Sequence, residues 1–469
     1  MSPEEFRRHG HELIDRIADY RAGIAQRPVM AQVAPGSIKA ALPGQAPAQP
    51  EPFENILRDL DALILPGLSH FNHPAFFGFF PANSELSSVL GDYLSTGLGA
   101  LGLSWQAAPA LTELEEVVVD WMRQLVGLPD TFRGVIQDTA STSSLVALIC
   151  AREQASGFSQ GGGGLAASLP LVVYGSAEAH SSIDKAALLA GFGRDNLRHV
   201  ETDAAYAIRP EALEAAIRAD LAAGRRPAAL VASVGTTGVT AIDPIRPLAD
   251  IARAHGLWLH VDAAMAGSAM ILPECRALWD GIEGADSLVF NPHKWLGVAF
   301  DCSLYYVRDP QHLQRVMGAN PSYLRGAGEG EVTTYRDWGI PLGRRFRALK
   351  LWCLLRAEGV EALQARLRRD IANARWLAQQ VSRTPGWRVL APVPLQTLCI
   401  RHEPPGLSGE ALDRHTLEWA GRINASGRAY VTPALLDGRW MVRVSIGALP
   451  TERADVEALW ALARREAER

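Results

Sequence analysis

Leu257-Trp258-Leu259-His260-Val261-Asp262 and, further along, Ser287-Leu288-Val289-Phe290-Asn291-Pro292-His293-Lys294-Trp295 share one form. Each is a short apolar run of strand type that stops at residues able to do chemistry. The first delivers a carboxylate, Asp262, and the second an amine, Lys294. A carboxylate and a lysine at the carboxyl ends of neighbouring strands are the pair that pyridoxal phosphate needs. The lysine forms the Schiff base, and the aspartate keeps a proton on the pyridine nitrogen so that the ring can accept electrons. Phe290, Trp295 and Phe300 give Lys294 an apolar setting, where desolvation disfavours the ammonium and makes the attacking neutral amine easier to obtain. Singly, an Asp after a strand reads as a helix cap and a lysine as a surface residue. Their spacing and shared strand context carry the reading.

Working outward, strand-like runs at 135–137, 171–174, 197–200, 230–233, 258–261, 287–290 and 304–307 alternate with helical patterns at 143–154, 210–223 and 245–255. That rhythm predicts an α/β fold built on a mostly parallel seven-stranded sheet, with ligands at the carboxyl ends of its strands. Ahead of it, Phe6, Leu13, Ile14, Ile17 and Tyr20 recur at helical spacing over 4–27, a Pro/Gly-broken stretch fills 28–52, and a helix is expected near 53–63. This N-terminal extension buries too little alone and is expected to pack on another subunit or domain. Beyond Arg347 come one long helix (348–382), strand-like pieces at 388–390, 397–401 and 441–446, and a closing helix from Glu452. The expected division is an N-terminal helical segment (1–80), a large cofactor-binding domain (81–347) and a small C-terminal α+β domain (348–469). The Gly161 to Gly164 run reads as a loop without assigned function.

A phosphate cradle is offered by Gly134-Val135-Ile136-Gln137-Asp138-Thr139-Ala140-Ser141-Thr142-Ser143-Ser144, a strand running into small hydroxyl residues that open a helix. An ordinary N-cap by Ser141 or Thr142 is the plainer reading, and the Lys/Asp pair tips the balance to phosphate. Gly235-Thr236-Thr237-Gly238 is a second polar turn after a strand. His180, shortly after the 171–174 strand, is placed to stack on a flat ring or to shuttle a proton.

The chain has 469 residues, 48% of them hydrophobic and 21% charged, with 46 Lys plus Arg against 51 Asp plus Glu. This is an ordinary enzyme composition of two or three domains, and nothing in it calls for nucleic acid or an anionic membrane. The Arg344-Arg345-Phe346-Arg347 cluster is expected to be solvated or ion-paired. Five scattered cysteines without CxxC spacing fit reduced thiols rather than disulfides or a metal site, and no metal is expected. No apolar run approaches a membrane span and the N-terminus lacks a signal-peptide core, so the cytoplasm is the expected location.

The chain resembles the group II pyridoxal-phosphate-dependent decarboxylases, most nearly the aromatic-L-amino-acid decarboxylases. The likeness rests on His73-Pro74, Phe79-Phe80-Pro81, Ser104-Trp105, the run Pro109-Ala110-Leu111-Thr112-Glu113-Leu114-Glu115, and Ala179-His180-Ser181-Ser182. It continues through Gly235-Thr236-Thr237, His260-Val261-Asp262-Ala263-Ala264, Asn291-Pro292-His293-Lys294-Trp295, Phe300-Asp301-Cys302-Ser303 and Pro341-Leu342-Gly343-Arg344-Arg345-Phe346-Arg347. The resemblance implies a type I aminotransferase-like fold and an obligate homodimer with active sites at the interface. It implies Lys294 as the Schiff-base lysine, Asp262 at the pyridine nitrogen and His180 on the ring. Ala140, Ser141 and His293 would lie at the phosphate, Thr237 and Ala264 would line the ring, and Asn291 would be a further cofactor-binding residue. Tyr323 matches the family's catalytic-loop tyrosine, the expected proton donor to the α-carbon, and relatives with phenylalanine there tend towards aldehyde formation.

A substrate pocket of Phe79, Phe80, Pro81, Leu101, Leu103 and Trp295 would suit an aromatic ring. Gly343, where some phenol-specific plant relatives carry serine, would leave room for an indole. Met265, Ala82 and Thr142 depart from common family residues and leave the side chain of the substrate open. The expected reaction is decarboxylation of an aromatic L-amino acid of the Dopa, tyrosine, tryptophan or 5-hydroxytryptophan type to its amine. The alternatives are a decarboxylase of non-aromatic amino acids, an aromatic aldehyde synthase, and an inactive interaction protein.

Overall fold

A computed structural model describes residues 1–165, 168–318 and 332–469. The chain divides into two compact units, one of Met1–Pro81, Arg375–Arg388 and Ile400–Arg469, the other of Ala82–Ala374 and Val389–Cys399. The N-terminal extension is thus packed in one unit with the C-terminal region of its own chain.

The second unit is built on a seven-stranded sheet: β1 (Arg133–Gln137), β2 (Leu171–Ser176), β3 (Leu197–Val200), β4 (Arg226–Ser233), β5 (Trp258–Asp262), β6 (Ser287–Phe290) and β7 (Ser303–Val307), ordered β1-β7-β6-β5-β4-β2-β3. Only β7 runs against its neighbours; β6, β5, β4, β2 and β3 pair in parallel. All seven expected strands are present. The inner strands β2, β4, β5, β6 and β7 are almost wholly buried, as strands covered on both faces must be, whereas the edge strand β3 is largely accessible. The helix Ala140–Ser156 crosses one face and presents Val146, Ala147, Leu148, Cys150 and Ala151 to a core completed by Val173, Val231, Val289 and Tyr305.

In the first unit, the opening helix Pro3–Ala22 is started by a capping box between Ser2 and Glu5. The small sheet of the C-terminal region comprises β8 (Trp387–Val389), β9 (Thr397–His402), β10 (Thr432–Leu436) and β11 (Arg439–Ser445), ordered β10-β11-β9-β8. A helix at Gly409–Ala425 and the strand β10 were not anticipated from sequence. The long helix expected over 348–382 is two helices, Arg347–Glu358 and Val360–Arg383. They part at Gly359, whose φ of 74° and ψ of 155° no helix can continue through.

Candidate active site

Because β1 and β6 both oppose β7, the carboxyl ends of β1, β2, β4, β5 and β6 lie along one edge of the sheet. The candidate residues emerge there. Asp262 is the last residue of β5, in register with Ser233 of β4 and Val289 of β6. One of its carboxylate oxygens accepts the Ala264 N–H at 3.0 Å. The Ala263 N–H donates to the Val289 carbonyl and the Asn291 N–H to the Ala264 carbonyl, both at 2.9 Å. The segment that carries the carboxylate is therefore pinned to the segment that leads to the lysine.

Lys294 sits on a tight turn, Pro292–Leu296, that ends at Gly297 with φ 102°. It is the one incompletely buried residue from 287 to 299. His293 beside it is buried, its Nδ1 accepting the Cys302 N–H at 2.9 Å, so its proton sits on Nε2. Burial, reinforced by the Lys294 charge, pushes the His293 imidazole down to about 3.

His180 follows β2. Its Nδ1 accepts the Ser182 N–H at 3.1 Å and lies 2.7 Å from the Ser182 hydroxyl, which likewise places its proton on Nε2. Burial lowers its pKa; the Asp262 charge opposes that shift and the Lys294 charge adds to it. The structure thus brings His180 within electrostatic reach of both Asp262 and Lys294.

The helix Ala140–Ser156 opens at the same edge, capped by the Thr139 hydroxyl accepting from the Thr142 N–H at 3.4 Å. Ala140 is nearly buried and Ser141 exposed at its first turn. Thr237 lies half-buried in a turn whose neighbour Gly235 has φ +86°; a Cβ at Gly235 would stand 2.7 Å from the Ala266 Cβ, so no side chain fits there. Ala264 is half-buried beside Asp262.

This set fits pyridoxal phosphate. An amine, a carboxylate and an imidazole converge beside a helix N-terminus. Asn291 is only 3% exposed and its side-chain Oδ1 has no hydrogen-bond partner among the described residues; an amide that turned over would present its N–H to a phosphate. No group of three or more His, Cys, Asp or Glu able to hold a metal ion occurs among the described residues.

Two expected pocket residues and their wall are well defined in the second unit. A short antiparallel pairing joins Gly102 to Arg344, each N–H donating to the other's carbonyl at 2.9 Å. A Cβ added at Gly343 would lie 3.3 Å from Leu101 Cδ1 and 3.9 Å from Leu103 Cδ2. Arg344 anchors this wall. Its guanidinium meets the buried Glu115 carboxylate at 2.6 and 3.0 Å and the Ile136 carbonyl at 2.7 Å. Arg347 pairs with Asp301, and Arg345 with Asp92. The arginine cluster is therefore ion-paired, as expected. Glu115 was legible only as part of a family string.

Phe79, Phe80 and Pro81 belong to the first unit. Phe79 is 49% exposed and has φ 46°, a left-handed conformation costly for a bulky residue. Its N–H donates to Thr432 Oγ1 at 2.9 Å, and Arg443 donates to its carbonyl while stacking on the Phe80 ring 4.3 Å from the centroid. Neither Thr432 nor Arg443 was singled out from sequence.

One expected pocket residue is corrected. Trp295 is fully buried, and its indole N–H donates to Asp370 at 2.9 Å. It is an interior residue, not an open wall. Tyr323 lies outside the described residues.

The histidine of the 257–262 run also has a defined place. His260 shares a face of β5 with Asp262, two residues on, and is completely buried between the Ser144 hydroxyl (3.2 Å from Nε2) and the Ser287 hydroxyl (2.9 Å from Nδ1). Burial pushes it down to about 4.

Residues 35–403 match the model of the pyridoxal-dependent decarboxylase conserved domain, and the chain belongs to that family. It is a pyridoxal-phosphate-dependent decarboxylase of type I fold. Among its relatives, a phenylacetaldehyde synthase of Arabidopsis thaliana is 42% identical over 100% of this chain and 96% of its own. A tryptophan decarboxylase of Camptotheca acuminata is also 42% identical, over 100% and 95%. Among solved structures, an Oryza sativa enzyme described with pyridoxal phosphate and tryptamine superposes with a TM-score of 0.97 at 35% identity, covering 100% of this chain and 98% of that one. A Catharanthus roseus tryptophan decarboxylase in complex with L-tryptophan gives 0.94 at 37% identity, covering 100% and 99%.

Proposed function

We propose that this decarboxylase acts on an aromatic L-amino acid and releases CO2 and the corresponding amine. The observation that carries the substrate class is the apolar wall at Gly343, whose nearest neighbours are Leu101 and Leu103, 3.3 and 3.9 Å from where a Cβ would stand; the relatives named for tryptophan support the same reading. When bound, pyridoxal phosphate supplies an electron sink for the pair left on the α-carbon as CO2 departs.

The chain's own residues do the rest. Lys294 Nζ would hold the cofactor's aldehyde carbon. Asp262 would keep a proton on the pyridine nitrogen. His180, protonated on Nε2, would lie against the ring. Ala140, Ser141, Asn291 and His293 would hold the phosphate end, with Thr237 and Ala264 beside the ring. Tyr323 would return a proton to the α-carbon.

Lys294→Ala is expected to abolish turnover and the borohydride-reducible link to the cofactor. CO2 release at the normal rate would sink the assignment. A panel of L-Dopa, tyrosine, tryptophan, 5-hydroxytryptophan, phenylalanine, histidine, glutamate and 2,4-diaminobutyrate, scored for CO2 and amine, tests the substrate class. A preference for glutamate or diaminobutyrate would overturn it. The phenylacetaldehyde synthase among the relatives favours an aldehyde route as the second reading. Peroxide and ammonia released in step with CO2 would establish that route, whereas Tyr323 supports simple decarboxylation.

The working form is a homodimer in this proposal. Leu86, Leu90, Tyr93, Leu94, Leu98 and Leu101 are 43–70% exposed along and just beyond the helix Leu86–Gly97, an apolar stripe of the kind a second copy covers. A monomeric mass by light scattering would remove it. No helix among the described residues is long and apolar enough to cross a membrane. The scattered cysteines support the cytoplasm as the proposed location.

A further inference from the structure

The turn that carries Lys294 is gripped from behind by two residues one helical turn apart. Arg366 and Asp370 lie on the helix Val360–Arg383 at i and i+4, hence on one face. Arg366 donates from Nη1 to the Trp295 carbonyl at 2.9 Å and from Nη2 to the Leu296 carbonyl at 2.7 Å. Those two carbonyls close the Pro292–Leu296 turn, where the backbone has no further helical donors of its own. Asp370 accepts the Trp295 indole N–H at 2.9 Å. The side chains are deeply buried: 10% exposed for Arg366 and 0% for Asp370, with Trp295 also at 0%.

Each charge has a counter-ion. Glu85 lies 3.9 Å from Arg366, and Arg369 lies 3.5 Å from Asp370. Glu85 is tied to the same turn, its N–H donating to the Gly297 carbonyl at 2.8 Å. On the other flank of Lys294, the His293 imidazole is held by the Cys302 N–H. The lysine's α-carbon is thus fixed between two immobilised rings while its own side chain is the only one of the run that reaches an accessible space.

We propose that Arg366 and Asp370 form a positioning clamp that fixes the backbone of the Lys294 turn, and through it the place of the reactive amine. Neither residue touches the cofactor, so neither is catalytic. A lysine side chain has four flexible methylenes, and its amine reacts productively only if the Cα is held. Displacement by about 1 Å is worth up to about a hundredfold in rate. The inference rests on Lys294 being the lysine that binds the cofactor aldehyde.

The test uses the full-length protein. Trp295→Phe keeps the ring and removes the N–H, and Asp370→Leu keeps the volume and removes the acceptor. Both are prepared as apoprotein, compared by thermal unfolding and titrated with pyridoxal phosphate. Each single variant is expected to weaken cofactor affinity and slow borohydride-trappable adduct formation by about tenfold, with apoprotein melting little changed. The double variant is expected to lose no more than either single one, because both act through one bond. kcat should fall with substrate KM nearly constant.

Affinity and trapping rate within twofold of wild type in both folded variants would overturn the clamp, as would fully additive losses. If burial makes Asp370→Leu too unstable to study, Arg366→Lys decides. It keeps the charge but cannot span both carbonyls, and an unaltered trapping rate there refutes the proposal. Lys294→Ala separates the underlying reading: a reducible adduct surviving in that variant would remove Lys294 from its role whatever the clamp variants do.

Discussion

Replacing Gly343 by Ser should shift the enzyme from larger towards smaller aromatic side chains. Gly343 is exposed at the pairing of Gly102 with Arg344, and its φ is not in the left-handed region, so serine introduces no backbone strain there. Its Cβ would stand 3.3 Å from Leu101 Cδ1, closer than ordinary van der Waals contact, and 3.9 Å from Leu103 Cδ2. The hydroxyl projects beyond that. The atom met is the far end of the Leu101 side chain rather than backbone and can yield, so folding is little affected; the space lost is that of the substrate ring. A misfit of about one methyl-sized group costs roughly 1–3 kcal/mol in transition-state binding. With Leu101 able to move, the lower part of that range applies, about 1–2 kcal/mol, or roughly 5–30-fold in kcat/KM for tryptophan relative to tyrosine. The assay is a competition between the two amino acids with both amines quantified, run beside Gly343→Ala, which isolates the Cβ contact and should show a smaller shift. A tryptophan-to-tyrosine ratio within twofold of wild type in the serine variant, with its melting temperature intact, would refute this view of the pocket wall.

His260 makes the fold acid-sensitive. Its pKa is about 4 in the folded protein against about 6.5 unfolded, so the unfolded chain binds the proton more readily. The stability is complete above pH 6.5 and is lost as pH falls through about 4, in total about 3 kcal/mol. His260→Asn should therefore lose about 2 kcal/mol less than wild type between pH 7.5 and 4.5 in denaturant unfolding; parallel pH curves would exclude His260 as the cause. Tyr323→Phe should cut amine formation and raise aldehyde yield, read by chromatography of both products. An unchanged product ratio would take Tyr323 out of the protonation step.

The sheet was legible because each strand is a compact apolar run, and because the runs that matter end abruptly in polar residues. Asp262, His180 and Lys294 met as expected since three strand ends place them. The rest depended on contacts between distant positions. Arg366 and Asp370 sit in a helix rich in charged residues, where nothing marks the one pair that turns inward. Trp295 was read as pocket wall because it adjoins Lys294, yet successive residues in a tight turn face different ways. Gly359 was overlooked because helix formers flank it on both sides. Thr432-Pro433 did not read as a strand because proline lacks an N–H, but β10 is an edge strand, where that loss is tolerated. His260 carried a usable signal: a polar residue two positions before Asp262, in a strand otherwise apolar.

The strap at Phe79 imposes an order of events on the making of the protein. Its left-handed residue is held on one side by Thr432 and on the other by Arg443, 353 and 364 residues further along the chain. A ribosome adding about 5–20 residues per second needs roughly twenty to seventy seconds to bridge that gap. For all of that time Phe79 has neither partner and no reason to keep its costly conformation. The sheet bearing Asp262 and Lys294 can be complete while the aromatic strap is still unset, so the residues that would choose a substrate are locked only after those that would hold the cofactor.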